Sequence, residues 1–246
     1  MDFALILAVT VLACFALRNP LKACPTAFYV AAIAVDVVYV YGVFFGLPRA
    51  VWSPLFVLIQ KCELALALFV VVMFIGCFRK GGKVRHWLGA VRSELSIVAW
   101  FLSLGHMAVY LESYLPRLGG GAISGNVMGA FVLAIVLLVL LIVLGVTSFA
   151  FVKKNMHTET WKKVQKLAYP FFALVYVHLL LMLLPSALHG GIAASASVAV
   201  YSVVFIGYGL CRVGRALVDR REATAPAASA AAEGAPSFSD ELDVVS

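Results

Sequence analysis

Charge is scarce in this chain. Of its 246 residues 13% are Asp, Glu, Lys or Arg, while 63% are hydrophobic and the mean hydropathy is +1.02. That balance excludes a soluble globular domain. Acids are scarcer still, 12 against 19 basic residues, for a net charge of +7. The basic residues are divided among short loops and carry no nucleic-acid motif, so no nucleic-acid partner is expected. The five cysteines, at 14, 24, 62, 77 and 211, form no C-x-x-C and no C-x-x-C-H. This argues against thiol exchange and covalently attached haem and leaves them as small buried residues. There is no G-x-G-x-x-G after a strand and no P-loop, so any electrons this chain moves come from elsewhere.

Long apolar runs take up most of what remains. A spanning helix needs roughly 20 mostly apolar residues. Seven candidates are bounded by charge, Pro or Gly: 3–17, 26–47, 54–78, 95–115, 127–152, 164–187 and 192–213, the first being short. The fold expected is an all-α polytopic transmembrane bundle of six to seven spans. Loops on one side hold 16 of the 19 basic residues, with Arg49 and Arg117 on the other and Lys61 inside a span. The positive-inside rule then puts the amino terminus outside and the carboxyl terminus in the cytoplasm of a multi-pass plasma-membrane protein. The first 17 residues lack Lys and Arg, so they read as a retained segment and not a cleaved signal peptide. Residues 1–50 read as N-terminal spans, 51–216 as the functional transmembrane domain, and 217–246, rich in Ala, Ser and Pro, as a disordered cytoplasmic tail.

An ionisable group near the bilayer centre costs at least about 2.5 kcal/mol, so each one needs a partner or a role. Asp36, Lys61, Glu63, His106 and His178 stand out. His106 is 12 residues past Glu94, and His178 is 12 residues past Lys166, on two spans that run in the same direction. Each imidazole therefore rises roughly 18 Å above its cytoplasmic anchor, and the two share one depth in the outer half of the membrane. Two histidines so placed can hold a flat cofactor, and haem iron suits imidazole ligands in a bundle core. The alternative is that each simply hydrogen-bonds across helices. Gly105 would let a macrocycle approach the backbone, while Ser103 and Tyr110 share a helix face with His106 and can orient the ring or a propionate. Asp36 and Lys61 can form a buried ion pair, or Lys61 can serve a haem propionate or an anionic substrate. His86, His157 and His189 read as solvated surface, and none has zinc-site spacing.

The stretches "RSELSIVAWFLSLGHMAVYL" (92–111), "TSF" (147–149) and "WKKVQKLAYPFFALVYVHLLLM" (161–182) resemble the ferric reductase-like transmembrane superfamily. Within it they are most similar to the MsrQ (YedZ) group, haem-binding membrane partners of periplasmic methionine sulfoxide reductases. The resemblance covers roughly residues 56–213. It implies haem-ligating histidines at His106 and His178, and it places Thr147, Ser148, Trp161, Leu167 and Tyr169 where the family has similar residues. One departure stands out: the cytoplasmic-side histidine common in the family is replaced by Gln165, and the corresponding position before His106 is near Arg92. One haem b is therefore expected, with two as the alternative.

The resulting expectation is a membrane b-type cytochrome, an electron-transfer subunit and not a complete enzyme. Electrons would come from membrane quinol or a reductase. They would pass through one bis-histidine haem to an extracytoplasmic partner: a reductase, a flavin or ferric iron. The alternative is a cofactor-free transporter or channel whose polar path includes Asp36, Lys61, Glu63 and the two histidines.

Overall fold

The computed structural model describes residues 2–118 and 125–233, and every described element is helical. Chain order is α1 (Asp2–Ala16), α2 (Arg18–Ala23), α3 (Pro25–Phe45), α4 (Arg49–Leu55) with a π-helical turn at Phe56–Gln60, and α5 (Glu63–Phe74) with a 3-10 turn at Ile75–Cys77. After α6 (Lys83–Gly89) come α7 (Arg92–Leu118), α8 (Gly125–Val146), α9 (Ala150–Asn155), α10 (Thr158–Gln165), α11 (Ala168–Leu188) and α12 (Ile192–Glu233). Among the described residues five helices are long and apolar enough to cross a membrane, and the bent pair Arg49–Gln60 plus Glu63–Cys77 makes a sixth when its two halves count as one broken span.

The first expected span falls short. At 15 residues α1 rises about 22 Å, less than the roughly 30 Å of hydrocarbon. Its far end sits beside α12, with the Phe3 ring 4.7 Å from that of Tyr201, while Phe15 stacks on Trp87 of α6 at the other end. Tyr201 lies nine residues into α12, so α1 stops about 14 Å short of the Ile192 end.

One other boundary differs for an identifiable reason. The run expected at 127–152 ends as a helix at Val146, because the Thr147 and Ser148 hydroxyls donate back to the carbonyls of Val143 and Leu144 and the chain turns there. The final helix runs from Ile192 to Glu233, into the Ala-rich segment expected as the tail; 234–246 lie outside the described residues.

Packing follows membrane rules: buried seams join α3 to α7, α5 to α1 and α7, and α11 to α8 and α12, while residues such as Val139, Val203 and Leu210 face outward. Lipid is as apolar as leucine, so helices associate through close fit and not through the hydrophobic effect. Gly145 shows the fit: the Trp100 indole of α7 occupies the space a Cβ there would need.

Candidate cofactor site

The third span breaks where the polar stretch Gln60–Lys61–Cys62–Glu63 interrupts its apolar run. Pro54 lies inside α4, a π-turn follows, Cys62 adopts the left-handed conformation at φ 58°, and α5 starts afresh at Glu63 with a bend of 41°. Each of these interrupts the i to i−4 ladder. One consequence is that the Gln60 carbonyl is available to another helix. His106 Nδ1 lies 2.6 Å from it.

His178 is held in the same way, its Nδ1 lying 3.2 Å from the carbonyl of Ala130 on α8. A carbonyl oxygen only accepts, so Nδ1 must carry the proton in both rings. In the neutral imidazole this leaves the Nε2 lone pair of each histidine as its remaining donor, and a second-shell carbonyl fixes the ring orientation.

Both histidines line one cavity of about 380 Å³ between α5, α7, α8, α11 and α12. Its walls are mainly apolar and include Leu66, Met107, Leu137 and Val175, and Phe69 and Phe171 meet edge to face at 5.5 Å beneath it. Most pockets that take small cofactors fall in this size range and have this apolar character. Among the described residues no three His, Cys, Asp or Glu side chains cluster as a metal-ion site. The donor set is two imidazoles facing an apolar space, which fits a haem and not a bare metal ion.

The other expected site residues divide. Ser103, Tyr110 and Lys61 all line the cavity. Ser103 Oγ donates to the Ala99 carbonyl at 2.7 Å, and the Tyr110 ring is centred 4.7 Å from that of His106. Lys61 is about half exposed, with Nζ 4.0 Å from Glu63 Oε1 and 5.7 Å from the Phe56 ring centre. Gly105 faces elsewhere. Its backbone N–H donates to Asp36 Oδ2 of α3 at 2.8 Å, and a Cβ on it would lie 2.8 Å from that carboxyl group, so its smallness admits α3 and not a macrocycle. The expected Asp36–Lys61 pair does not form: Asp36 turns to Gly105 and Lys61 to Glu63.

His86, His157 and His189 are exposed. The five cysteines are free thiols. The orienting carbonyls of Gln60 and Ala130 escaped the sequence reading, as main-chain atoms carry no side-chain signal; the polar interruption at 60–63 was the one visible hint.

Toward the other end of the bundle lies a much smaller cavity of about 50 Å³, lined by Arg92, Trp100, Ser148 and Gln165 and divided from the first by Phe69, Leu141 and Phe171. Gln165 Nε2 donates to Thr147 Oγ1 at 3.0 Å, and Trp161 Nε1 donates to the Thr147 carbonyl at 2.9 Å. A glutamine, an arginine and a tightly packed indole offer no imidazole donor there.

Residues 62–176 match the family described as ferric reductase like transmembrane component, a segment that contains His106 and ends two residues before His178. An uncharacterized protein of Treponema pallidum (strain Nichols) is 36% identical over 231 residues, which is 92% of this chain and 64% of that protein. The chain thus spans just under two thirds of that relative's length. No solved structure matches. Over residues 62–176, from α5 into α11, the chain is similar to the ferric reductase-like transmembrane component family.

Proposed function

We propose that the protein is a membrane b-type cytochrome, with one haem held between His106 and His178, that passes electrons to an acceptor outside the cytoplasm. One observation carries this reading: two histidines on different helices line the same apolar cavity, each with Nδ1 committed to a carbonyl and Nε2 left to ligate. Haem, when bound, supplies a reversible one-electron ferric/ferrous couple. The chain's own part is to hold and tune. The Gln60 and Ala130 carbonyls keep both rings turned, the apolar walls exclude water, and Lys61 places a cation where a propionate can reach the cavity wall. Ser103 and Tyr110 flank the His106 ring.

A single haem is supported by the small second cavity and by Gln165 and Arg92 in place of imidazoles. An isolated haem in the outer half suits membrane quinol as donor, because a cytoplasmic flavoprotein would face most of the inner leaflet. The acceptor class is a reductase partner, a flavin or ferric iron. Purified protein from haem-replete cells, assayed as the pyridine haemochrome, should contain about one haem per chain. Two per chain would mean that the smaller cavity opens to take a ligand. Well-folded protein with none would favour the second reading, transport through the broken third span, whose Lys61 and Glu63 lie at the break as in discontinuous-helix transporters.

A further inference from the structure

From His106 toward the end of α7, every fourth residue is a tyrosine: Tyr110, then Tyr114. The i, i+4 spacing stacks them on one helix face, and the eight residues rise about 12 Å. Ring centres are 4.7 Å apart between His106 and Tyr110 and 6.1 Å between Tyr110 and Tyr114, the tyrosines lying within 21° of parallel. Phe131 of α8 adds a ring 5.9 Å from Tyr114, and the exposed Arg117 sets its guanidinium 5.8 Å from the Tyr114 centroid. Interfacial tyrosines that merely anchor a helix face lipid. Tyr110, Tyr114 and Phe131 instead line the cavity, so the ladder runs along its wall from the half-buried histidine to a cationic end. Glu112, two residues from Tyr114, is turned about 200° around the helix, away from the face that carries the ladder.

We propose that Tyr110 and Tyr114 form the electron exit from the His106 side of the cavity, and that Arg117 receives small multivalent anionic acceptors at its end. This rests on the cytochrome reading. One electron leaves the reduced protein and one is gained by the acceptor; no bond is made or broken and no proton moves. The tyrosines act as packed rings that bridge the gap, not as radicals, so the ring matters and the hydroxyl does not. An exposed guanidinium gathers anions in a salt-dependent way.

The test uses full-length protein in nanodiscs, with ferricyanide as acceptor and the redox-inert hexacyanocobaltate trianion as binding probe. The visible spectrum is recorded first: absence of haem overturns both readings, whereas a normal spectrum isolates this one. With Tyr114→Leu, reoxidation by ferricyanide should slow several-fold at unchanged spectrum, midpoint potential and hexacyanocobaltate affinity, and Tyr114→Phe should restore the wild-type rate. Arg117→Gln should weaken hexacyanocobaltate binding measured by calorimetry, and reduce both the rate and its dependence on salt. Wild-type rates in Tyr114→Leu, failure of Tyr114→Phe to restore the rate, or equal hexacyanocobaltate affinity in Arg117→Gln would overturn the proposal.

Discussion

Gly105 and His106 are neighbours in sequence but lie about 100° apart around α7, and that angle separates their roles. His106 looks into the cavity; Gly105 looks at Asp36. The Gly105→Ala variant should therefore loosen the α3–α7 seam, at a cost of roughly 1–3 kcal/mol for a methyl forced into a packed contact. Adding Asp36→Ala should relieve the clash and recover part of the loss. Thermal unfolding of the single and double variants in detergent measures this; additive destabilisation would show that the two residues do not press on one another. Because helical rise is fixed, the sequence put the two histidines at one level of two spans, and both line one cavity. The rotation of Gly105 was not legible, since α7 is apolar on several faces around it and the spacing of residues reports depth and not azimuth. The same gap produced the expected Asp36–Lys61 pair.

At the scale of elements, the break in the third span makes the Gln60 carbonyl available to His106. Cys62 is the one described non-glycine residue with positive φ. Left-handed backbone costs an L-residue roughly 1–2 kcal/mol, and β-branched side chains suffer most. Cys62→Gly should then hold or raise stability and leave the haem spectrum unchanged. The Cys62→Val variant should shift the break, release His106 and lower haem occupancy. Equal occupancy in both variants would separate the left-handed turn from His106 positioning. The polar run 60–63 signalled an interruption in the sequence, but its form was hidden, because a π-turn followed by a left-handed residue arises from how neighbouring helices pack. The ends of α8 were hidden for a related reason: Thr147 and Ser148 stop the helix by bonding backward, and they sit inside an apolar run that reads as continuous.

At the scale of the whole molecule, the described residues form a frame of five candidate spans and one bent helix pair, with α1 as a short helix reaching partway along α12. The positive-inside rule, applied to the basic loops, predicts Cys24 and Cys211 toward the cytoplasm and Arg49 outside. In spheroplasts a membrane-impermeant maleimide should label an Arg49→Cys variant at once, and should reach the exposed native Cys24 and Cys211 only after permeabilisation. Labelling in the reverse order would invert the orientation and place the histidine pair in the cytoplasmic half.

The proposed function turns on the histidine pair, and its most direct measurement is the dithionite-reduced minus oxidised visible spectrum of wild-type protein beside His106→Ala and His178→Ala. The haem assignment predicts a low-spin b-type signal in wild type that is lost in both variants while the protein stays folded. A full signal in either variant, or none in wild type, would contradict it.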